Sequence, residues 1–495
     1  MVDELFTRKN RVLFIIHDLY QEDNPFPLGP AYLAAVLHRN GASVEAYCMD
    51  VFHYTNEHLA EHLDNNEYDL ICSGFLAARF RETVLDLCRI INEHKKDAWL
   101  VLGGHGPSPI PEYMLDTTKA DVVAIGEAEY SIVDLLHCKI SGGDLSRVAG
   151  IAYKEDEKVK ITEPHRIVKN IDEIPFPLWS IFPMERYTTC FKFHNQEPGE
   201  KSFAGFLSSR GCVNRCNFCY RMEEGLRLRS IESIVKELKL LRDRYGVTFH
   251  SFDDELFILN KARLLKFEKA LRGAGLKIKF DCNARVDFMD EEVIEILKHC
   301  GCQFLNFGFE SSDDRVLKLM NKNAAMAQNL KALELVKKAG GIGMGLNFIW
   351  NNLGDTAESL KKNVELIKRY NTYHHCRTIR PTTPYPGCDL YYKLIEIGKL
   401  KGPEDFFERF KNSDLILVNL MDMPDEEAYR LLLEANTELI LDHFKHTTGN
   451  MEEAKRLIQQ FAAYIPAKQP NSGGPGTMLR RRGKIYKSLL QTRLL

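Results

Sequence analysis

Apolar runs of strand length alternate with stretches of helical period along most of this chain, and this alternation restricts its fold more than any other feature. In the first 140 residues the strand-like runs are Arg11–Ile16, Ser43–Cys48, Asp69–Phe75, Ala98–Gly104 and Ala120–Gly126. Strand and helix in strict alternation predict a parallel sheet that is covered by helices on both faces. This part of the chain is therefore predicted to be α/β, with a Rossmann-like parallel sheet.

Small residues and glycines follow several of these strands, where the ligands of such sheets bind. The candidate binding residues are Ser73, Gly74, Phe75, Gly103, Gly104, Gly126 and Glu127. Glycine lets a backbone approach a flat or bulky ligand closely, although glycine after a parallel strand is also ordinary turn chemistry. No G-x-G-x-x-G follows the first strand, which disfavours a dinucleotide as the ligand.

A second alternation begins at Phe203. Its candidate strands are Phe203–Leu207, Val247–Phe252, Leu276–Cys282, Gln303–Phe309, Gly343–Trp350 and His375–Arg380. Six βα units predict an open, partial (β/α)6 barrel, with its site at the carboxyl ends of the strands. Helical patterns after Leu400 predict a helical C-terminal extension.

Three cysteines, Cys212, Cys216 and Cys219, follow the first strand of the second alternation with the spacing C-x3-C-x2-C. This spacing is too asymmetric for a zinc site built from paired C-x2-C units. Three thiolates from one loop can hold three irons of a 4Fe–4S cluster and leave the fourth iron open for chemistry. The alternatives are three cysteines in an ordinary loop, or a zinc knuckle with a distant fourth ligand.

The segment from Ser209 to Tyr220 resembles the cysteine loop of the radical SAM superfamily. In that superfamily the open iron chelates S-adenosylmethionine (SAM), and one electron from the cluster cleaves SAM to a 5′-deoxyadenosyl radical. The resemblance implies SAM contacts from residues of the loop and of later strand ends: Phe218, Asp253, Asp254, Glu255, Arg285, Glu310 and Asn347. The chain departs from the usual pattern at Asp253-Asp254, where relatives often have two glycines. It also departs at Asn351-Asn352-Leu353, although it keeps the Gly354-Asp355-Thr356 part of the turn that relatives usually show there.

The N-terminal alternation resembles a cobalamin-binding domain, and the phrase Pro175-Phe176-Pro177-Leu178-Trp179 resembles the linker of cobalamin-domain radical SAM proteins. The motif D-x-H-x-x-G, whose histidine ligates cobalt in mutase-type members, is not present in the sequence. Either cobalamin binds without a protein histidine, or the domain has lost cobalamin. The resemblance implies that the candidate residues from Ser73 to Glu127 contact cobalamin and that the loop Phe75–Arg79 lies beneath cobalt.

These patterns divide the chain into five parts. The boundaries are 1–145 for the cobalamin-binding-type domain, 146–201 for a hairpin and extended linker, 202–395 for the barrel, 396–468 for the helical domain, and 469–495 for a flexible linker and basic tail. A basic amphipathic tail could touch anionic lipid, stay solvated or dock on its own domain.

Composition limits which partners and which cellular location can be expected for the protein. Its 495 residues carry 66 Lys and Arg against 69 Asp and Glu, so no global positive field draws it to nucleic acid. No apolar run reaches 18 residues and no basic-then-apolar leader is present, which predicts a cytoplasmic protein with reduced cysteines.

The function implied by the resemblance is cobalamin-dependent methylation of an unactivated carbon in a small-molecule or lipid-like substrate. An alternative on the same scaffold is radical cyclisation, rearrangement or carbon–carbon coupling, with cobalamin absent or non-methylating. A hypothesis of another class is a non-catalytic cobalamin or redox sensor. The enzymatic hypotheses imply an external electron donor such as flavodoxin or ferredoxin, and a monomer is expected; no catalytic acid, base or nucleophile is assigned.

Overall fold

The computed structural model describes residues 10–20, 24–76, 80–190, 193, 196–411 and 413–462. The basic tail and Ala77–Arg79, which belong to the loop expected beneath cobalt, lie outside these residues.

The first sheet combines five parallel strands with an antiparallel hairpin. Its strands are β1 (Arg11–Ile16), β2 (Ser43–Cys48), β3 (Leu70–Gly74), β4 (Trp99–Gly103), β5 (Val122–Ala124), β6 (Ile151–Glu155) and β7 (Lys158–Ile161). Their order across the sheet is β2-β1-β3-β4-β5-β6-β7. The hairpin that the sequence placed in the linker thus extends this sheet, with Ala124 opposite Ile151.

Helices cover both faces of the first sheet. They are α1 (Leu28–Arg39), α2 (Met49–Phe52), α3 (Asn56–Asn65), α4 (Leu85–His94), α5 (Pro111–Thr118) and α6 (Ser131–Ser141), and a short α7 (Met184–Tyr187) follows in the linker. Because successive strand residues point to opposite faces, Val12 and Phe14 pack with α1 and α6, whereas Leu13 and Ile15 pack with α3, α4 and α5. The predicted Rossmann-like α/β sheet is confirmed.

The second sheet is parallel throughout. Its strands are β8 (Lys201–Phe206), β11 (Val247–Phe252), β12 (Lys279–Ala284), β13 (Cys302–Glu310), β14 (Gly343–Trp350) and β15 (Arg380–Pro381). Between β8 and β11 the chain forms an antiparallel hairpin of β9 (Ser209–Cys212) and β10 (Gly225–Leu228). The order β15-β14-β13-β12-β11-β8 runs from one edge to the other, as in an open barrel.

The remaining helices surround the second sheet and complete the C-terminal extension. They are α8 (Ile231–Tyr245), α9 (Lys261–Gly273), α10 (Glu291–Cys300), α11 (Asp314–Leu319), α12 (Met326–Ala339), α13 (Ala357–Tyr370), α14 (Asp389–Glu396), α15 (Pro403–Arg409), α16 (Asp425–His446) and α17 (Met451–Ala462). The predicted partial barrel and helical extension are confirmed.

The last strand is much shorter than the predicted His375–Arg380. The side chain of Asn436, on α16, bonds both the backbone N–H and the carbonyl of Ile379 and so takes the place of a strand partner. His374 and His375 therefore precede the strand, and both rings lie against Phe304. The third barrel strand also differs, because it begins at Lys279 rather than Leu276.

The two sheets are joined at the loop that follows β1. The backbone N–H of Phe26 donates to the carbonyl of Ala204 on β8 at 3.0 Å, and the Phe26 ring packs against Phe182, Tyr187 and Phe203. Since this loop leaves the carboxyl end of β1, the contact brings the carboxyl-end edge of the first sheet close to the barrel.

Candidate active site

The cysteine loop is held by backbone contacts to the end of α11. The N–H of Asn217 donates to the carbonyl of Met320 at 3.0 Å, and its side chain donates to the carbonyl of Leu319 at 2.9 Å. From the other side, Asn321 donates to the carbonyl of Arg215 at 2.6 Å. The loop is therefore ordered by polar groups outside its own sequence.

The three cysteine thiols of the loop differ in their exposure and in their surroundings. Cys216 is buried while Cys219 is exposed, and the Asn214 amide donates to the Cys212 sulfur at 3.5 Å. Burial raises the pKa of Cys216, while Lys322 acts in the opposite direction. A bound cation favours the thiolate form that a ligand must adopt.

Within the described ranges, no three His, Cys, Asp or Glu side chains converge in a way that could hold a single metal ion. A 4Fe–4S cluster engages each thiolate through a different iron, so its ligands need not converge on one point. Three thiols from one loop, one of them exposed and one receiving an amide donor, fit such a cluster.

Glu310 and Lys322 form an ion pair beside the cysteine loop. Lys322 Nζ donates to Glu310 Oε1 at 2.9 Å, and the two side chains are only 12–13% exposed. Glu310 ends β13 with a left-handed backbone (φ 63°). Gly308 makes room for the pair, because a Cβ there would lie 2.6 Å from the Glu310 carboxylate.

The acidic segment after β11 divides into two kinds of residue. Asp254 is fully buried, and its carboxylate accepts hydrogen bonds from the backbone and hydroxyl of Ser208 and from the hydroxyl of Ser209. Asp254 thus joins β11 to the turn before the cysteine loop, which is a different contact from the predicted one to SAM. Asp253 and Glu255 flank it and are exposed at the strand end.

Arg285 follows β12 and is already engaged within the protein. Its guanidinium bonds both carboxylate oxygens of Asp287, at 2.9–3.3 Å, and the carbonyl of Asn323 at 2.8 Å. Asn323 follows Lys322, so Arg285 and the Glu310–Lys322 pair occupy one region of the barrel mouth.

Asn347 has a partner that the sequence did not reveal. Arg377 donates to the Asn347 oxygen and to the Asn306 oxygen, each at 3.0 Å, and lies over the Phe304 ring. It reaches them across β14 at Gly345, where a Cβ would lie 2.2 Å from its guanidinium. Arg377 precedes β15 in an irregular segment, and Gly345 was the only sequence signal that could have indicated it.

Phe218, the aromatic residue before the third cysteine, packs against Val316, Leu317 and Met320 of α11 and its end. It therefore anchors the loop. The unusual Asn351-Asn352 turn is also explained, because buried Asn351 adopts a left-handed backbone (φ 73°) and bonds the backbone of Val418 and Leu420 in the C-terminal extension.

Three of the predicted cobalamin residues form a continuous glycine edge on the first sheet. Gly74 and Gly103 are partners at the ends of β3 and β4, and a Cβ on Gly74 would lie 2.9 Å from the Gly103 carbonyl oxygen. Gly104 has φ 87° and no heavy atom within 4 Å of the place of its Cβ. An open, side-chain-free edge of this kind fits a flat macrocycle.

Ser73 and Phe75 support that edge from within. The Ser73 hydroxyl donates to the carbonyl of Ile15 at 3.0 Å, and buried Phe75 stacks on Phe80. Beside the edge, beyond β1 and β2, lies a cavity of about 320 Å³ that is lined by His17, Asp18 and His53, among others.

Gly126 and Glu127 are covered by other segments of the chain. A Cβ on Gly126 would lie 2.2 Å from the His165 ring. Glu127 is engaged by Arg227 and Arg210, at 2.5 and 3.2 Å respectively. Burial alone would raise the pKa of Glu127, but these two arginines hold that pKa below its ordinary value. Glu127 thus makes a different contact from the predicted one to cobalamin.

The cysteine loop contacts the loop that follows β4, directly after the glycine edge. Tyr220, next to Cys219, packs edge-on against the His105 ring with centroids 5.8 Å apart. The space that a Cβ on Gly387 would need is filled by Tyr220 and by Pro109, from the loop after β4. The carboxyl ends of both sheets therefore face a shared region.

A fold with these two parts defines a known class of enzyme. The radical SAM superfamily profile matches residues 206–367, and the B12 binding domain profile matches residues 22–136. The chain therefore carries a radical SAM domain and an N-terminal B12-binding domain, and it is a radical SAM enzyme.

Several relatives share both parts. The chain is 29% identical over 435 residues to an uncharacterized methyltransferase of Pyrococcus horikoshii, covering 85% of this chain and 90% of the relative. It is 27% identical over 405 residues to the anaerobic magnesium-protoporphyrin IX monomethyl ester cyclase of Rubrivivax gelatinosus, covering 78% and 70%.

Solved structures show the same fold. The radical SAM methyltransferase TsrM of Kitasatospora setae, with cobalamin and a 4Fe–4S cluster bound, aligns with a TM-score of 0.64 at 15% identity, covering 79% of this chain and 78% of that one. The cobalamin-dependent SAM radical enzyme OxsB aligns with a TM-score of 0.62 at 20% identity, covering 98% and 71%. In the part of the chain that the structure describes, no helix combines the length and apolar character needed to cross a bilayer.

Proposed function

We propose that this radical SAM enzyme is a cobalamin-dependent methyltransferase that acts on an unactivated carbon of a small-molecule or lipid-like substrate. The observation that carries the proposal is the contact of Tyr220 with His105, which sets the cysteine loop against the glycine edge of the B12-binding domain. A methyl donor on that edge and a radical generated at the cysteine loop would face the same substrate.

When bound, the cluster supplies the electron that cleaves SAM, and cobalamin supplies the methyl group. In this proposal Cys212, Cys216 and Cys219 hold the cluster. Gly74, Gly103 and Gly104 leave the first sheet open to the corrin face.

The other barrel residues bind and orient SAM. Asp253 and Glu255 are exposed at the end of β11, where a carboxylate can form a charge-assisted hydrogen bond with the methionyl ammonium. Glu310, charge-balanced by Lys322, accepts from a ribose hydroxyl. Arg285 and Asn347 supply donors and acceptors at neighbouring strand ends.

The methyltransferase names of the Pyrococcus relative and of TsrM support methyl transfer. A second candidate, radical cyclisation, is supported by the similarity to the anaerobic cyclase of Rubrivivax gelatinosus. The two candidates share cluster, SAM site and B12-binding domain, and they differ in whether the methyl group of SAM reaches a product.

The products of SAM distinguish these candidates. The protein is purified anaerobically, assayed for iron, sulfide and cobalt, and incubated with SAM, a chemical reductant and a small-molecule extract. Formation of both 5′-deoxyadenosine and S-adenosylhomocysteine supports methyl transfer, and 5′-deoxyadenosine alone supports cyclisation or rearrangement. If a protein with a reducible cluster forms neither product, the sensor hypothesis is supported. Cys212→Ala is the control that abolishes SAM cleavage by either enzyme.

The proposal includes an external reductant such as flavodoxin or ferredoxin, because SAM cleavage consumes an electron. A monomer in the cytoplasm is the working expectation. We also retain the five-part division at residues 145, 201, 395 and 468 as a proposal. Limited proteolysis with mass spectrometry tests the boundaries, and light scattering tests the oligomeric state.

A further inference from the structure

Two arginines face each other across the hairpin that carries the first cysteine. Arg210 on β9 is the direct antiparallel partner of Arg227 on β10, and Cys212 is the partner of Gly225 in the same ladder. Their side chains are only 14–15% exposed. Like charges directly opposite each other destabilise a strand pair, so this hairpin requires nearby anions.

The anions come from the B12-binding domain. Arg227 binds the Glu127 carboxylate with both terminal nitrogens, at 2.9 and 2.5 Å. Arg210 lies 2.7 Å from Glu129 and 3.2 Å from Glu127. Two guanidinium groups of the barrel hairpin are thus balanced by two carboxylates that follow β5. A bidentate arginine–carboxylate pair fixes orientation as well as distance.

A third contact secures the same junction. Glu223, in the loop between β9 and β10, accepts a hydrogen bond from the backbone N–H of Glu127 at 3.3 Å and lies 2.5 Å from the His165 ring nitrogen. His165 occupies the space over Gly126 that a side chain there would need. The hairpin, the linker and the end of β5 are therefore one packed unit.

We propose that Arg210, Arg227, Glu127 and Glu129 form a positioning clamp that sets the distance between the cysteine loop and the glycine edge. The inference rests on the proposed function, because it matters for a reaction that uses both. SAM cleavage needs the barrel alone, whereas methyl transfer needs the two domains in register. Displacement of about 1 Å can lower a rate about 100-fold, so a loosened clamp uncouples the two activities.

The test compares Arg227→Met and the charge-conserving Arg227→Lys with the wild type in full-length protein that is loaded with cluster and cobalamin and incubated with SAM, a reductant and the small-molecule extract. We expect Arg227→Met to keep its iron content and the EPR spectrum of its reduced cluster. We expect its yield of S-adenosylhomocysteine per 5′-deoxyadenosine to fall at least about tenfold, because the domains lose register. Arg227→Lys keeps the charge but lacks the planar fork, so an intermediate yield is expected. The control is Arg166→Met, which removes an exposed ion pair with Asp134 in the neighbouring linker, and it should behave as wild type.

Hydrogen exchange supplies a readout that does not depend on methyl transfer. In Arg227→Met, amides 209–212 and 225–228 should exchange faster, together with amides 124–129, while the barrel helices stay protected. An unchanged product ratio, or unchanged exchange at 124–129, would overturn the clamp. A loss of iron in both variants would also overturn it, because the arginines would then be structural supports of the cysteine loop. If the wild type itself makes no S-adenosylhomocysteine, the proposed function fails, and the exchange result still decides whether the clamp exists.

Discussion

Lys322 donates a hydrogen bond of 2.9 Å to Glu310 beside the cysteine loop, and neither side chain is appreciably exposed. Burial would lower the pKa of Lys322, but Glu310 outweighs that effect and raises it, so the ammonium stays charged. The pair balances its own charge at the point where the cysteine loop and the end of β13 meet.

Lys322→Met should destabilise the protein by about 3–5 kcal/mol, because it leaves the Glu310 carboxylate buried without its partner. Chemical denaturation of the single variant and of Glu310→Gln/Lys322→Met measures the effect. The double variant should recover most of the lost stability, since no uncompensated charge remains. SAM affinity, measured by calorimetry, should stay low in the double variant; recovery of wild-type affinity would contradict a role for Glu310 in SAM binding.

His250→Leu should make the protein less sensitive to acid. His250 is fully buried on β11, and burial lowers its pKa to about 3 from an ordinary 6.5. Because the unfolded chain binds a proton below about pH 6.5 and the folded chain does not, stability decreases as pH falls from 6.5 toward 3.

The measurement for His250 is the denaturation midpoint at pH 7.5 and at pH 5. The wild type should lose more stability between the two than His250→Leu does, and His299→Leu, at a surface site paired with Glu268, serves as control. Equal pH dependence in wild type and His250→Leu would show that other groups govern acid stability.

Gly345→Ala should have the same effect on SAM binding as a substitution of Arg377. A Cβ at position 345 would occupy the place of the Arg377 guanidinium, so the arginine must leave Asn306 and Asn347. We expect Gly345→Ala and Arg377→Met to weaken SAM binding to the same degree, roughly tenfold, as expected for one or two lost hydrogen bonds to a charged group. Gly273→Ala is the matched control, because its Cβ would meet no atom within 4 Å. If the two variants differ widely in SAM affinity, Asn347 is not held in place by Arg377.

Gly104→Ala should lower the cobalt content of the reconstituted protein. Its left-handed backbone (φ 87°) costs about 1–2 kcal/mol for an alanine, and the new methyl group would occupy the open glycine edge. Gly142→Ala is the control, since Gly142 also has a positive φ (61°) and open space, but caps α6. Both variants should lose similar stability, while only Gly104→Ala should lose cobalt. Equal cobalt content would contradict the placement of cobalamin at this edge.

Local patterns predicted much of the fold. The predicted bounds of β1, β2, β11 and β14 are those of the structure. β1 carries the continuous apolar sequence expected of a buried parallel strand, whereas β2 lies at the edge of its sheet and is only partly buried. The sixth barrel strand was wrong in extent, because the side chain of Asn436 satisfies the backbone of Ile379 from 57 residues away. No local window contains that contact.

The type of site and the segments that form it were predictable from the sequence, but many contacts of its residues were not. The cysteine spacing and the strand-end positions indicated which segments meet. The partners of Asp254, Glu127 and Asn347 were not indicated. The local sequence around a carboxylate or amide at a strand end does not show whether that side chain contacts a ligand, a serine or an arginine. Only the folded chain shows that Glu127 meets Arg210 and Arg227.

The positions of the clamp residues along the chain also determine the order in which they are synthesised. Glu129 leaves the ribosome 81 residues before Arg210, so the carboxylates are in place on a completed N-terminal sheet when the hairpin emerges. A nascent chain whose first sheet has misfolded offers no counter-charge to that hairpin, and its barrel then forms out of register with the vitamin-binding half.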